Sequence, residues 1–214
     1  PGQVTLLSTP MYSNTTLGIF VATMAYGGTA IIMRKFDCAR WLELAQAHRA
    51  THTILVPVQY QRLMDFAHFD EYDLSSLALK YCTSAPFSAA LKAEVVRRMP
   101  GALIEIYSMT EGGVVCLLRA DTHPDKLHTV GIPWMGSEVV TIDEELNRLP
   151  TGEIGGGDDS MSSLQIRTDN LQRVVHPVSH QPCVKPCLDG QTTPALVLMV
   201  LLQHIANIGE HAHV

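Results

Sequence analysis

The feature that most constrains the fold is a regular alternation of short apolar runs and helical patterns over the first half of the chain. Runs typical of buried strands are separated by helical patterns of about 10 to 12 residues. Strands joined through helices pair in parallel, with right-handed crossovers. The sequence therefore predicts an α/β fold with a mostly parallel sheet and helices on both faces. The runs are Gln3–Leu7, Ala30–Met33, Thr53–Val56, Leu77–Cys82 and the segment around Ile104.

Capping side chains mark where the helices begin. Asn14 or Thr15 can cap the first helix, Asp37 the second and Ser88 the last of this series. Pro100-Gly101 then ends the last helix before the next strand. These signals agree with the strand and helix alternation, so local chemistry and apolar patterning indicate the same elements.

The alternation stops after residue 155. The segment 156–214 has few charges, many prolines and histidines, and no regular pattern, so we expect a domain over 1–155 followed by an irregular, atypical tail. An alternative exon or a shifted reading frame is one hypothesis for this tail, and a partner-docking helix over 195–208 is another. His176, His180, Cys183 and Cys187 are residue types that bind zinc, but the prolines between them argue against a zinc site.

Composition excludes several classes of protein. A net charge of -6 and a pI near 5.9 argue against a nucleic-acid partner and favour small ligands. Five scattered cysteines are typical of reduced packing residues in a cytoplasmic protein. No apolar run approaches the ~20 residues needed to span a bilayer. The chain begins at Pro1, and we expect it to be a piece of a longer protein.

The stretch from Ile104 to Gly113 carries the residues best suited to chemistry. An apolar strand ends in Tyr107, a hydroxyl at Thr110 and a carboxylate at Glu111, followed by two glycines. Ligands of parallel sheets bind at the carboxyl ends of the strands. An aromatic face for a base, a hydroxyl for a phosphate and a hard oxygen ligand for Mg²⁺ together predict a nucleotide site. Alone, such a string also occurs by chance at a strand end or an N-cap.

The same stretch resembles the Tyr-Gly-x-Thr-Glu motif of the adenylate-forming superfamily, which includes acyl-CoA synthetases, aryl-CoA ligases and luciferases. The resemblance implies that Tyr107 stacks on adenine, that Thr110 contacts the α-phosphate, and that Glu111 binds Mg²⁺. Ser108 stands where the family usually has glycine. The residues that this resemblance places along the nucleotide are Glu105, Ile106, Tyr107, Ser108 and Met109, with Thr110 and Glu111 as the catalytic pair.

Further segments resemble the superfamily in the same order along residues 1 to 155. Thr83–Pro86 is similar to the Gly-Ala-Pro turn beside adenine, which implies roles for Ser84, Ala85 and Pro86. Pro10–Asn14 resembles the Pro-Leu-Phe-His segment of the acyl-substrate wall, with Ser13 in place of the histidine. Two later strings, Val130–Pro133 and Leu149–Gly155, resemble Val-Gly-x-Pro and Pro-x-Gly-Glu-x-Gly. The implied substrate-binding residues are Tyr12, Ser13, Thr16, Gln59 and Gly131.

The resemblance implies an acyl-CoA synthetase of fatty-acid metabolism that uses ATP, Mg²⁺ and coenzyme A to convert a carboxylic acid through an acyl-adenylate to a thioester. The phosphate loop and the mobile carboxy-terminal domain of that family have no counterpart in this sequence, so we expect the chain alone to be inactive. Two alternatives stay open, namely a non-catalytic module that binds AMP or acyl-adenylate, and a protein-interaction module. Association into a homo-oligomer is compatible with each.

Overall fold

The computed structural model describes residues 2–109, 113–134, 137–143, 147–150, 162–168 and 171–178. Four α-helices and ten β-strands lie in these ranges, with two short 3₁₀ turns at Phe69–Glu71 and Pro124–Lys126. The helices are α1 (Asn14–Ala25), α2 (Cys38–Ala47), α3 (Pro57–Met64) and α4 (Ala89–Arg98). The strands are β1 (Val4–Leu7), β2 (Thr29–Ile32), β3 (His52–Leu55), β4 (Leu79–Cys82), β5 (Ala102–Met109), β6 (Gly113–Arg119), β7 (Ile132–Pro133), β8 (Ser137–Ile142), β9 (Ser162–Thr168) and β10 (Leu171–Val178).

Seven strands form one sheet in the order β2-β1-β3-β4-β5-β6-β7. The first five are parallel, because one α-helix joins each of them to the next along the chain, from β1 to β5, and returns the chain to the same end of the sheet. The last two, β6 and β7, are antiparallel to their neighbours and follow without an intervening α-helix. The predicted α/β fold with a mostly parallel sheet is confirmed.

Helices cover both faces of this sheet, as predicted. Leu6 and Leu7 are adjacent in β1 and fully buried, yet they belong to different apolar clusters, since neighbouring strand residues point to opposite faces. The Leu6 cluster contains core residues of α2, α3 and α4, including Trp41, Tyr60 and Val95. The Leu7 cluster is packed against Ile19 of α1. One helix therefore lies on one face and three on the other.

The helix starts follow the capping chemistry, with one difference. The side chain of Asp37 accepts a hydrogen bond from the Arg40 backbone at 2.9 Å, and Ser88 accepts one from Leu91 at 3.3 Å, which confirms both predicted caps. The cap of α1 is Ser13 rather than Asn14 or Thr15, and its side chain makes no capping bond. The first helix is therefore positioned by packing more than by its cap.

A second, antiparallel sheet has the order β10-β9-β8. Its strands β9 and β10 lie within residues 156–214, where the sequence analysis found no regular pattern. The missed signal is the alternation of apolar Leu164 and Ile166 with polar Gln165 and Arg167, which has the period of a strand. Among the described residues no helix has the length and apolarity that crossing a membrane requires.

Candidate nucleotide-binding edge of the sheet

The candidate site lies at the edge where the parallel strands end. The helices after β1 and β3 leave this edge on opposite faces of the sheet, so a crevice opens between these two strand ends. The segments that follow β1, β3, β4 and β5 begin at Ser8, Val56, Thr83 and residue 110. The topology thus gathers at one edge the segments that the sequence singled out.

Buried polar side chains link the end of β1 to the end of β3. Gln59, in the first turn of α3, accepts a hydrogen bond from the Val56 backbone at 3.1 Å and donates to the Ser8 carbonyl at 3.4 Å. The hydroxyls of Thr9 and Thr16 are also hydrogen-bonded to each other. Thr16 is fully buried and Gln59 nearly so, which places both behind the surface of the edge as supports of the Pro10–Asn14 segment.

The turn after β4 is exposed and conformationally constrained. Ser84, Ala85 and Pro86 all lie on the surface, where small side chains leave backbone accessible to a flat ligand. Ser84 has a φ of 75°, in the left-handed region that favours glycine. Its hydroxyl lies 3.4 Å from that of Thr15 in α1, so this turn adjoins the start of the first helix.

The end of β5 is reshaped by a bulge in its partner strand. Tyr107 pairs with Cys116 while Ser108 pairs with Val114, which leaves Val115 as an extra residue in β6. The half-buried Tyr107 packs against the buried Val115 and Cys116. Beside it, the Ser108 hydroxyl lies 3.4 Å from that of Thr83, which connects the ends of β5 and β4.

Two residues that precede Tyr107 point into the protein. Ile106 is a core residue of the face that α1 covers. Glu105 is buried on the other face, where its carboxylate contacts the ammonium of Lys92 from α4. Burial raises the pKa of Glu105, and the Lys92 charge opposes that rise. Either residue could therefore contact a ligand only through its backbone.

The predicted acyl-side residues differ widely in exposure. Tyr12 is 90% exposed and Ser13 half-buried, so both reach the surface of the edge. Gly131 is buried with a φ of 87°, and a Cβ built on it would lie 1.8 Å from the Leu117 carbonyl oxygen. A tight strand approach therefore explains this glycine without reference to a ligand.

The predicted catalytic pair, Thr110 and Glu111, lies outside the described residues, as does the side chain of Met109. The backbone of Met109 pairs with Gly113 at the end of the β5–β6 hairpin. Within the described ranges no group of three or more His, Cys, Asp or Glu side chains is placed to hold a metal. The zinc-type ligands His180, Cys183 and Cys187 fall outside these ranges.

Sequence reasoning assigned no role at this edge to the side chains of Ser8, Thr15, Thr83 and Lys92. Lys92 had a readable signal, because it lies four residues after Ser88 and three before Val95, on the apolar side of α4. A lysine at a core position suggests a buried partner. Its partner Glu105 likewise interrupts an apolar strand.

These features are those of a nucleotide-binding α/β protein, and comparison with known proteins specifies the class. The sequence profile of the AMP-binding enzyme family matches residues 1–157. The chain belongs to this family, and the resemblance noted from its motifs is confirmed.

The relatives are ligases that join acids to coenzyme A. The chain is 30% identical to a medium/long-chain-fatty-acid–CoA ligase from Mycobacterium tuberculosis over 152 residues, which is 70% of this chain and 26% of that protein. It is 32% identical to 4-coumarate–CoA ligase 3 from Arabidopsis thaliana over 158 residues, or 72% of this chain and 28% of the relative. The chain thus spans about a quarter of the length of these relatives.

Solved structures show the same fold. The amide bond synthetase McbA from Marinactinospora thermotolerans superimposes with a TM-score of 0.70 at 26% identity, over 80% of this chain and 34% of that one. MatB from Rhodopseudomonas palustris gives a TM-score of 0.63 at 26% identity, over 81% of this chain and 33% of that one. The seven-stranded sheet is therefore the portion of the family fold that this chain contributes.

Proposed function

We propose that this chain forms the adenylate-binding edge of an acid–thiol ligase, and that the whole protein activates a carboxylic acid with ATP and transfers the acyl group to coenzyme A. The observation that carries the proposal is the convergence of Tyr12, Ser84 and Tyr107 at one edge of a family-matched sheet. Fatty and aryl acids are the two substrate classes to test, because the relatives include ligases for each.

The described residues fit the adenosine part of the ligand. Tyr107 offers an aromatic ring fixed by a bulge, and Ser84–Pro86 an exposed turn of small side chains, so a purine could lie between a flat face and accessible backbone. We assign Tyr12 and Ser13 to the acyl side, where both reach the surface. Thr16, Gln59 and Gly131 are buried beneath this surface and support it, and Glu105 and Ile106 fix the position of β5.

The proposed reaction has two half-reactions. The substrate carboxylate forms a bond to the α-phosphorus of ATP as the bond to pyrophosphate breaks. The thiol sulfur then bonds to the acyl carbon, which releases AMP, while the thiol proton passes to solvent. Stabilising charge on the phosphates is the main demand of the first step. We propose that Thr110 and Glu111 meet it, with Glu111 as the ligand of Mg²⁺. We further propose a cytoplasmic location, given that Cys38, Cys82 and Cys116 are free thiols.

The test is calorimetric titration of this chain, with Mg²⁺, against acyl sulfamoyl adenosines, which are non-hydrolysable acyl-adenylate mimics. One mimic carries a fatty acyl chain and one a 4-coumaroyl group. We expect saturable binding that Tyr107→Ala weakens at least about fivefold, since stacking on an aromatic ring contributes about 1–3 kcal/mol. Glu111→Gln should abolish the dependence on Mg²⁺.

The matched control is Tyr26→Ala. Tyr26 is also exposed, but it ends α1 at the opposite edge of the sheet, so its loss should leave binding unchanged. A folded wild-type chain that binds neither mimic would refute the proposal and would favour the protein-interaction alternative. Binding by the chain, without turnover in a longer protein that contains it, would favour the non-catalytic module.

A further inference from the structure

Lys92 on α4 is a buried charged residue to which the proposed reaction gives no role. Its side chain is 2% exposed. Its ammonium contacts the Glu105 carboxylate, donates to the Thr129 carbonyl at 2.9 Å, and lies 5.8 Å from the centre of the Phe87 ring. An ammonium has three N–H donors. These contacts give the Lys92 ammonium one carboxylate, one carbonyl oxygen and one aromatic face as partners.

Each of the three contacts lies next to a segment of the candidate site. Phe87 directly follows Pro86 in the turn after β4. Glu105 is two residues before Tyr107 and therefore on the same side of β5. Thr129 is two residues before Gly131, and its hydroxyl accepts a hydrogen bond from the Gly131 backbone at 3.2 Å. A single ammonium thus joins three chain segments that are distant in sequence.

We propose that Lys92 is a positioning residue that sets the β5 end, the turn after β4 and the Thr129–Gly131 segment relative to one another, and thereby fixes the width of the nucleotide site. The proposal rests on the proposed function. The physical reason is that a buried ammonium is stable only while its partners stay in place, so movement of any one segment leaves a charge unpaired. Lys92 is too deeply buried to touch the ligand itself.

Lys80 provides a matched control within the same sheet. It is fully buried, like Lys92, and its ammonium donates to the carbonyls of Met99, Pro100 and Gly101 at 3.3, 2.6 and 2.7 Å. These carbonyls precede β5 at the edge opposite the site. Lys80→Met and Lys92→Met therefore each remove one buried ammonium, but only the second removes contacts beside the site.

The experiment measures two quantities for both variants. Calorimetric titration with the acyl sulfamoyl adenosines gives the dissociation constant, and hydrogen exchange gives local opening without any ligand. We expect Lys92→Met to weaken binding at least tenfold and to accelerate exchange selectively in 105–109 and 129–131. Lys80→Met should change binding less than twofold and accelerate exchange in 99–103.

Glu105→Gln is the second variant, and it serves if Lys92→Met does not fold. It removes the ion pair while leaving the Lys92 contact with Thr129, so binding should weaken and exchange should rise in 105–109. Combined with Lys92→Met, it should weaken binding less than twofold further, because both act through one contact.

Three results would overturn the positioning role. These are wild-type affinity in Lys92→Met, equal losses of affinity in the two lysine variants, or accelerated exchange spread evenly over the sheet. If the wild-type chain itself fails to bind, the proposed function is refuted, while the exchange pattern alone still decides whether Lys92 holds these segments together.

Discussion

Among the glycines that the structure describes, Gly131 is the one where an alanine would meet the closest contact. Gly131 has a φ of 87°, and an added Cβ would lie 1.8 Å from the Leu117 carbonyl oxygen and 2.3 Å from its carbonyl carbon. Real Cβ atoms essentially never approach closer than 3.0 Å, so the segment or β6 must move by about 1.2 Å. Both obstructing atoms belong to the backbone, which cannot rotate away as a side chain would.

The expected destabilisation has two parts. A side chain in the left-handed region costs about 1–2 kcal/mol, and overpacking of a buried position costs about 1–3 kcal/mol more. We therefore expect Gly131→Ala to lower the free energy of unfolding by about 2–5 kcal/mol. Gly27→Ala is the control for the first part, because Gly27 has a φ of 68° with no atom within 4 Å of an added Cβ. It should cost only about 1–2 kcal/mol.

Urea unfolding followed by the fluorescence of Trp41 and Trp134 measures both variants. Trp134 is the more informative of the two, since it lies three residues after Gly131 and its backbone donates to the Val115 carbonyl at 2.8 Å. Equal losses of stability in Gly131→Ala and Gly27→Ala would refute the reasoning. A stable Gly131→Ala with weakened binding of the adenylate mimic would instead assign this glycine a direct ligand contact.

Two further predictions concern the turn after β4 and the buried Lys80. Ser84→Gly should raise the free energy of unfolding by about 0.5–1 kcal/mol, because relief of the left-handed strain exceeds the entropy that glycine adds to the unfolded chain. Ala85→Gly, at the next residue, should lower the free energy of unfolding by a similar amount. Thermal unfolding of both variants tests whether the two effects have opposite signs. Burial lowers the pKa of Lys80 from 10.5 to about 8, against the opposing charge of Asp121, so the unfolded chain binds more protons between these values. The free energy of unfolding of the wild type relative to Lys80→Met should then rise by up to about 3 kcal/mol from pH 8 to 10.5. Urea unfolding at a series of pH values measures this difference. A difference that does not change with pH would show that the three carbonyls keep the ammonium charged.

The sequence predicted the parallel part of the fold well because local and global signals agree there. Asp37 and Ser88 cap helices whose apolar faces pack against apolar strand residues, so capping and patterning indicate the same elements. The sequence analysis did not predict β9 and β10. Their alternation of apolar and polar residues lies among prolines and histidines, and the strands form only through pairing with β8 and each other.

The candidate site was predictable only in part. Motif order located Tyr12, Ser84 and Tyr107, but it did not separate side chains that reach the edge from those that support it. Thr16, Gln59 and Glu105 are polar residues predicted for the same site, yet all three are buried. Exposure depends on which strands lie side by side and which helix crosses over them, and these are relations between segments distant in the chain.

The sequence by itself determined the helices and strands of the parallel sheet, their order and the chain's membership of the AMP-binding enzyme family, because periodicity, caps and motifs are properties of contiguous residues. Only the tertiary structure decided which charges meet. Lys92 and Glu105 each interrupt an apolar pattern, and Lys80 interrupts another, but nothing local specifies their partners. A buried charge is stable only against groups that folding brings to it from elsewhere in the chain, so these contacts exist only in the folded protein.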